Sequence, residues 1–127
     1  MIEWSENWFG IWRDDEGKYP QFPIMEYFLD PTWDRKVRFK AAAYLFDAVA
    51  ALAAASPASK CQLCGHRNAQ VWKSDGVWLW PVSLAHLVEA HGVRVPKRFE
   101  MHMESNNFIP PKELPSKNWQ DLPWPAL

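Results

Sequence analysis

The chain has 127 residues, 48% of them apolar and 23% charged, with a net charge of −1. That composition excludes intrinsic disorder, and the near-neutral charge excludes a polycationic nucleic-acid binder of the whole-surface kind. The length fits one domain with a modest core. Nine tryptophans are the unusual count, and large aromatics bring much buried area to a small fold.

Charge is unevenly placed. Residues 1–30 hold seven acids against Arg13 and Lys18, whereas the remainder holds twelve bases against eight acids. The N-terminus lacks the basic and apolar regions of a signal peptide. The longest apolar run, "AAAYLFDAVAALAAA", is interrupted by Asp47 and is too short for a membrane helix. These features predict a cytoplasmic protein.

In "MIEWSENWFGIW", Trp4, Trp8 and Trp12 recur every four residues and predict one face of a short helix, weakened by Gly10. The acids Glu6, Asp14, Asp15 and Glu16 lie close to these rings in the chain. Together they suggest a partner-binding face, because aromatic anchors and complementary charge are what interfaces use. "RDDEGKYPQFP" reads as loop.

Asp30 as cap and Pro31 at a first helical position introduce a long helix over residues 34–56. Val37, Ala41, Leu45, Ala48, Leu52 and Ala55 form one apolar line, with Phe39, Ala42, Phe46 and Val49 beside it. So wide an arc predicts burial on most sides of the second half. "SPASK" ends this helix, since the residue before Pro57 is biased away from helical geometry.

Next comes "CQLCG". Two short β-prone runs follow, flanking Ser74-Asp75-Gly76, a hairpin signal in which Gly76 takes positive φ. In "PVSLAHLVEAHG", Pro81 is placed to start a helix and Gly92 to end it. Residues 104–127 are proline-rich and aperiodic, and read as an extended tail that wraps the domain through Phe108, Trp119 and Trp124. The predicted class is α+β: one domain with a long buried helix, a knuckle–hairpin–helix module over residues 61–96, and the tail.

Cys61 and Cys64 are the two cysteines, and His86 and His91 lie on the helix after the hairpin. Two thiolates and two imidazoles in this order suit a tetrahedral zinc ion. The five-residue separation of the histidines is about 140° on a regular helix of ~100° per residue, so they converge only if the helix loosens near Gly92. Gly65 fits the tight turn after the second sulfur. His66 and His102 are competing ligands, and a redox dithiol or two reduced core thiols are the other readings. No βαβ pattern surrounds this CxxC, as a redox motif would require. Four protein ligands leave no open position, which makes the zinc structural rather than catalytic.

"YPQFPIMEYFLDPTWD", "CQLCG" and "DGVWLWPVSLAHLVEAHGVRVPKRF" resemble a group of small bacterial zinc-knuckle proteins. Their pattern is CxxCG followed by DGxWxWPxxLxHxVxxHxVxxP. The resemblance covers about residues 19–99. It implies Cys61, Cys64, His86 and His91 as ligands and a Trp78/Trp80/Pro81 brace beneath them.

The helix carrying the histidines has no lysine or arginine between Lys73 and Arg94, which argues against base readout by a DNA-reading finger. Glycine-rich phosphate loops, nucleophile elbows and HExxH motifs are absent from the sequence, which argues against an enzyme. The expected function is therefore non-catalytic binding of another protein. By analogy it is a bacterial immunity protein or antitoxin whose acidic face meets a basic toxin cleft. An adaptor subunit, or a zinc-finger protein binding nucleic acid without sequence preference through Arg35, Lys36, Arg38, Lys40, Arg94, Lys97 and Arg98, are the alternatives.

Overall fold

The computed structural model describes residues 4–13, 20–53, 59–68, 71–115 and 119–125. The fold is α+β: three helices pack with a three-stranded antiparallel sheet. The elements are α1 (Arg35–Asp47), β1 (Val49–Ala53), β2 (Ser59–Lys60), β3 (Arg67–Asn68), β4 (Val71–Ser74), β5 (Leu79–Pro81), α2 (Ser83–His91) and α3 (Lys97–Ser105). Strand order in the sheet is β1-β4-β5, and β2 and β3 form a separate two-stranded ribbon. Among the described residues no helix is long and apolar enough to cross a membrane.

The N-terminal segment is extended, not helical. Phe9 donates its amide to Leu79 at 3.1 Å and Leu79 donates back to Asn7 at 2.9 Å, so residues 7–9 lie along the outer edge of β5. Gly10 then turns with φ +101°, and a Cβ there would lie 3.1 Å from both Leu84 and Pro81. Edge pairing and this close approach override the helical spacing of the tryptophans. Trp8 and Phe9 are buried, and Trp4 packs edge-on against both.

The first helix is capped by Asp34 rather than Asp30: its carboxylate accepts from the amides of Lys36 and Val37. Asp30 instead accepts from Thr32 and pairs with Arg94 at 2.9 Å, and these contacts lower its pKa to about 2. The helix also ends earlier than its composition predicts. Ala48 leaves helical geometry, and residues 49–53 become β1, with Val49 opposite Ser74 and Ala53 opposite Val71. Pairing with β4 outweighs the helix propensity of the alanines. The C-terminal carbonyls of α1 are taken up from the side: Trp80 donates its indole N–H to Leu45, and Lys73 donates to Ala48. Ala55 and Ser56 lie outside the described residues. Ala41, Ala42 and Leu45 are buried as the apolar line requires, but Phe39 and Phe46 are 40% and 62% exposed.

The hairpin between β4 and β5 forms at Ser74-Asp75-Gly76, with Gly76 at φ +92°. Helix α2 starts at Ser83 and ends at Gly92, whose left-handed φ of 69° stops it, while Pro81 closes β5 instead of opening the helix. Residues 97–105 form α3, a helix where the sequence suggests loop and the start of the tail. Its Phe99 is fully buried and stacks on Trp78 with ring centroids 4.3 Å apart. Beyond it, Phe108 packs on the main core and Trp124 edges onto Trp72. The Trp119 side chain lies outside the described residues.

A buried carboxylate locks the hairpin to α1 and α3. Asp75 Oδ1 accepts from the amides of Val77 and Trp78, and Oδ2 accepts from Tyr44 Oη at 2.7 Å. His102 Nε2 lies 3.0 Å from the same Oδ2, and Asn106 donates to the Tyr44 hydroxyl. Burial first, and the hydrogen bond to Asp75 second, raise the Tyr44 phenol above its ordinary range. Oδ1 and the Tyr44 hydroxyl are hydrogen-bonded while His102 Nε2 touches Oδ2 without a hydrogen bond of good geometry, and truncating Asp75 strands the rest. Replacing Asp75 by Ala is expected to lower stability by about 3 kcal/mol, read as a shift in the urea midpoint, while Asn106→Ala costs less than half of that.

Candidate metal centre

The knuckle loop is built by backbone bonds before any metal is considered. Gly65 donates to the Cys61 carbonyl at 2.9 Å and Cys61 donates to His66 at 2.8 Å, closing the turn on itself. Gly65 takes φ +76°, the left-handed geometry that the CxxCG spacing predicts. The amide of Leu63 points at Cys61 Sγ at 3.4 Å, so the loop offers a hydrogen-bond donor to its own sulfur.

The other two donors come from α2. His86 is one turn into the helix and His91 is its last residue, where Gly92 breaks the helical path. Their ring centroids are 5.1 Å apart and nearly perpendicular. The Gly92 amide is shared between the Leu87 and Val88 carbonyls, which makes the last turn wider than a regular α-turn, and the two rings meet despite their five-residue spacing.

All four donor atoms, one each from Cys61, Cys64, His86 and His91, lie within 4.8 Å of one another. Cys64 Sγ is 3.3 Å from His86 Nε2, and Cys61 Sγ is 3.6 Å from His91 Nε2. Ligands about 2.0–2.3 Å from a shared tetrahedral centre stand about 3.3–3.8 Å apart. The two sulfur–nitrogen pairs match that spacing, the other donor pairs lie within 4.8 Å, and both cysteines are free rather than a disulfide. This is a cluster that could hold a metal ion.

Cys61 is buried and Cys64 is exposed, so the centre sits at the rim of the domain. Burial, and then the neighbouring His66 and His91, depress the pKa of His86. The neutral imidazole is the ligand form, so these influences favour binding. His66 stacks on His86 with centroids 4.5 Å apart but is not one of the four clustered donors, and His102 belongs to the Asp75 network.

The residues suggested for partner binding are distributed differently. Trp8 is buried, and Trp4 and Trp12 are half-buried against the core, with Trp12 edge-on to Phe9. Glu6 remains exposed. Asp14, Asp15 and Glu16 lie outside the described residues. The aromatic front is therefore packing, a role that its fourfold spacing alone does not distinguish from docking. The signal missed is the pair of aromatic residues Phe39 and Phe46 on α1, spaced by two turns and left facing solvent.

Removing a ligand should empty the centre. Cys61→Ala is expected to lose at least nine-tenths of the bound metal by elemental analysis, and retention of a full equivalent would reject the site. His86 has a depressed folded pKa, so its contribution to stability is present above the ordinary histidine value of 6.5 and is lost as pH falls. Protons compete for the thiolates in the same direction, so metal occupancy should fall below about pH 6 and recover on neutralisation.

Comparison with known proteins gives no match: no family model, curated protein or solved structure corresponds to this chain.

Proposed function

We propose that this chain is a non-catalytic recognition domain stapled by zinc, and that it neutralises a bacterial toxin by binding it. The observation that supports this reading is the convergence of four protein donors on one point. A tetrahedral ion with four such ligands has no position for water or substrate, so its free energy of binding goes into holding the loop to α2. Zinc is the ion that mixed thiolate and imidazole donors select at this geometry. Free thiolate ligands suit a reducing compartment such as the bacterial cytoplasm.

The partner-facing surface is redrawn by the burial of the tryptophans. Tyr27 is 70% exposed and Leu29 38% exposed, at the edge of a cleft of about 250 Å³ that they share with Asp30, Arg94 and Pro96. Glu6 and Glu26 are exposed in the same acidic third of the chain. An exposed tyrosine beside an apolar cleft, with carboxylates on the same N-terminal third, is the arrangement expected of an anchor for a basic partner. Trp4 and Trp12 brace this face from below through Phe28, which each of them contacts.

The experiment is co-expression with the product of each neighbouring gene, after that product has been tested for toxicity on its own; a toxic neighbour is the expected partner. The zinc-loaded protein should restore growth and co-purify with the toxin. Combining Tyr27→Ala with Leu29→Ala should weaken the complex at least tenfold without changing the melting temperature of the free protein. Absence of any complex with intact, metal-loaded protein would overturn the neutralising role.

A further inference from the structure

A second surface borders the metal centre through His86. Between the exposed side of α1 and one face of α2 runs a cleft of about 660 Å³, lined among others by Arg35, Arg38, Phe39, Phe46 and Arg67. Glu89 is the one carboxylate among its described lining residues. Arg38 is already engaged within the fold, where it donates to the carbonyls of Val88 and Glu89 and so caps α2. Arg35 and Arg67 are not held in that way, since among the described residues neither pairs with a carboxylate.

The first turn of α1 holds Arg35 and Lys36 and no acid, so the Asp34 cap is the carboxylate at the positive end of this helix and two cations follow it directly. The aromatic residues depart from the usual pattern in the same place. Phe46 stands 62% exposed with the Lys73 ammonium 5.8 Å from its ring, and Phe39 carries the guanidiniums of Arg35 and Arg38 at 5.2 and 5.5 Å.

We infer that this cleft binds single-stranded nucleic acid. Guanidinium forks match phosphate oxygens, and exposed aromatic rings between cations are platforms on which unpaired bases stack. Phe39 and Phe46 are seven residues apart, about 10 Å along the helix, a spacing that an extended strand with splayed bases can span. An acidic peptide would satisfy the arginines but would leave both rings without a planar partner. The net charge of −1 places the attraction in this patch alone rather than over the whole surface. This binding goes beyond the toxin-directed reading and uses none of the residues on the Tyr27 face.

The probe is a fluorescein-labelled oligothymidylate of about 20 nucleotides, long enough to cover one such groove, titrated with the full, zinc-loaded chain and followed by anisotropy. Micromolar binding is expected at low salt, weakening with a log–log salt slope of about −2, as two to three displaced counterions give on a single strand. Arg35→Glu and Arg67→Glu should each weaken it about tenfold, and Phe46→Ala about fivefold, with melting temperature unchanged because all three side chains are exposed. Arg38 is left intact because it caps α2. Failure of the oligonucleotide to bind at low salt, indifference of binding to all three substitutions, or equal affinity for polyglutamate of the same charge would each overturn the proposal. None of those outcomes bears on whether the chain neutralises a toxin.

Discussion

The separation of His86 and His91 by five residues is bridged at the last turn of α2, where their rings come within 5.1 Å. On an uninterrupted helix the two rings would diverge by about 140°. Gly92 adopts left-handed geometry, and its amide is shared between the carbonyls of Leu87 and Val88, so the turn that carries His91 is wider than a regular α-turn. Arg38 adds side-chain donors to two carbonyls of that last turn, Val88 and Glu89. The chain leaving the helix is held at once: Asp30 donates its amide to Gly92, and Arg94 donates to Phe28. The end of α2 at Gly92 is therefore where both candidate histidine ligands, the α1 side chain Arg38 and the backbone of the N-terminal third meet.

A second fastening, polar and wholly protein, secures the opposite end of the hairpin. Burying a carboxylate is costly unless its lone pairs are used, and Asp75 receives two amides and a phenol, with an imidazole beside them. Its partners come from three different parts of the chain. The hairpin is thus tied at its turn by hydrogen bonds and near its far end, through α2 and the knuckle, by the donor cluster. Between the two lies an aromatic layer in which Trp78 is stacked on Phe99 and faced by the Arg98 guanidinium.

What is legible in the sequence is local. The CxxCG turn, the Ser-Asp-Gly hairpin and the glycine stop are decided by neighbours in the chain, so spacing and residue type are enough to place the four donors. Sequence reasoning fails where a distant segment decides. Residues 49–53 have alanine-rich helical composition, yet the free edge of β4 draws them into the sheet. The tryptophans at positions 4, 8 and 12 satisfy an even spacing that an extended strand accommodates as readily as a helix, and hydrogen bonds to Leu79 choose between them. Helix α3 is hidden by its short amphipathic pattern, in which Phe99 and Met103 alone are buried. The exposure of Phe39 and Phe46 is equally invisible, because an apolar line on a helix does not reveal how much of it a neighbour covers.

The strand-like passage of residues 7–9 has a further effect on behaviour in a crowded solution. It occupies amides and carbonyls along one border of the three-stranded sheet, so that border has little left to offer a foreign strand. The opposite border is β1, short, alanine-rich and bent by an irregular register between Ala50 and Leu52. Within the three-stranded sheet, backbone pairing with a foreign strand is thereby left to one distorted rim.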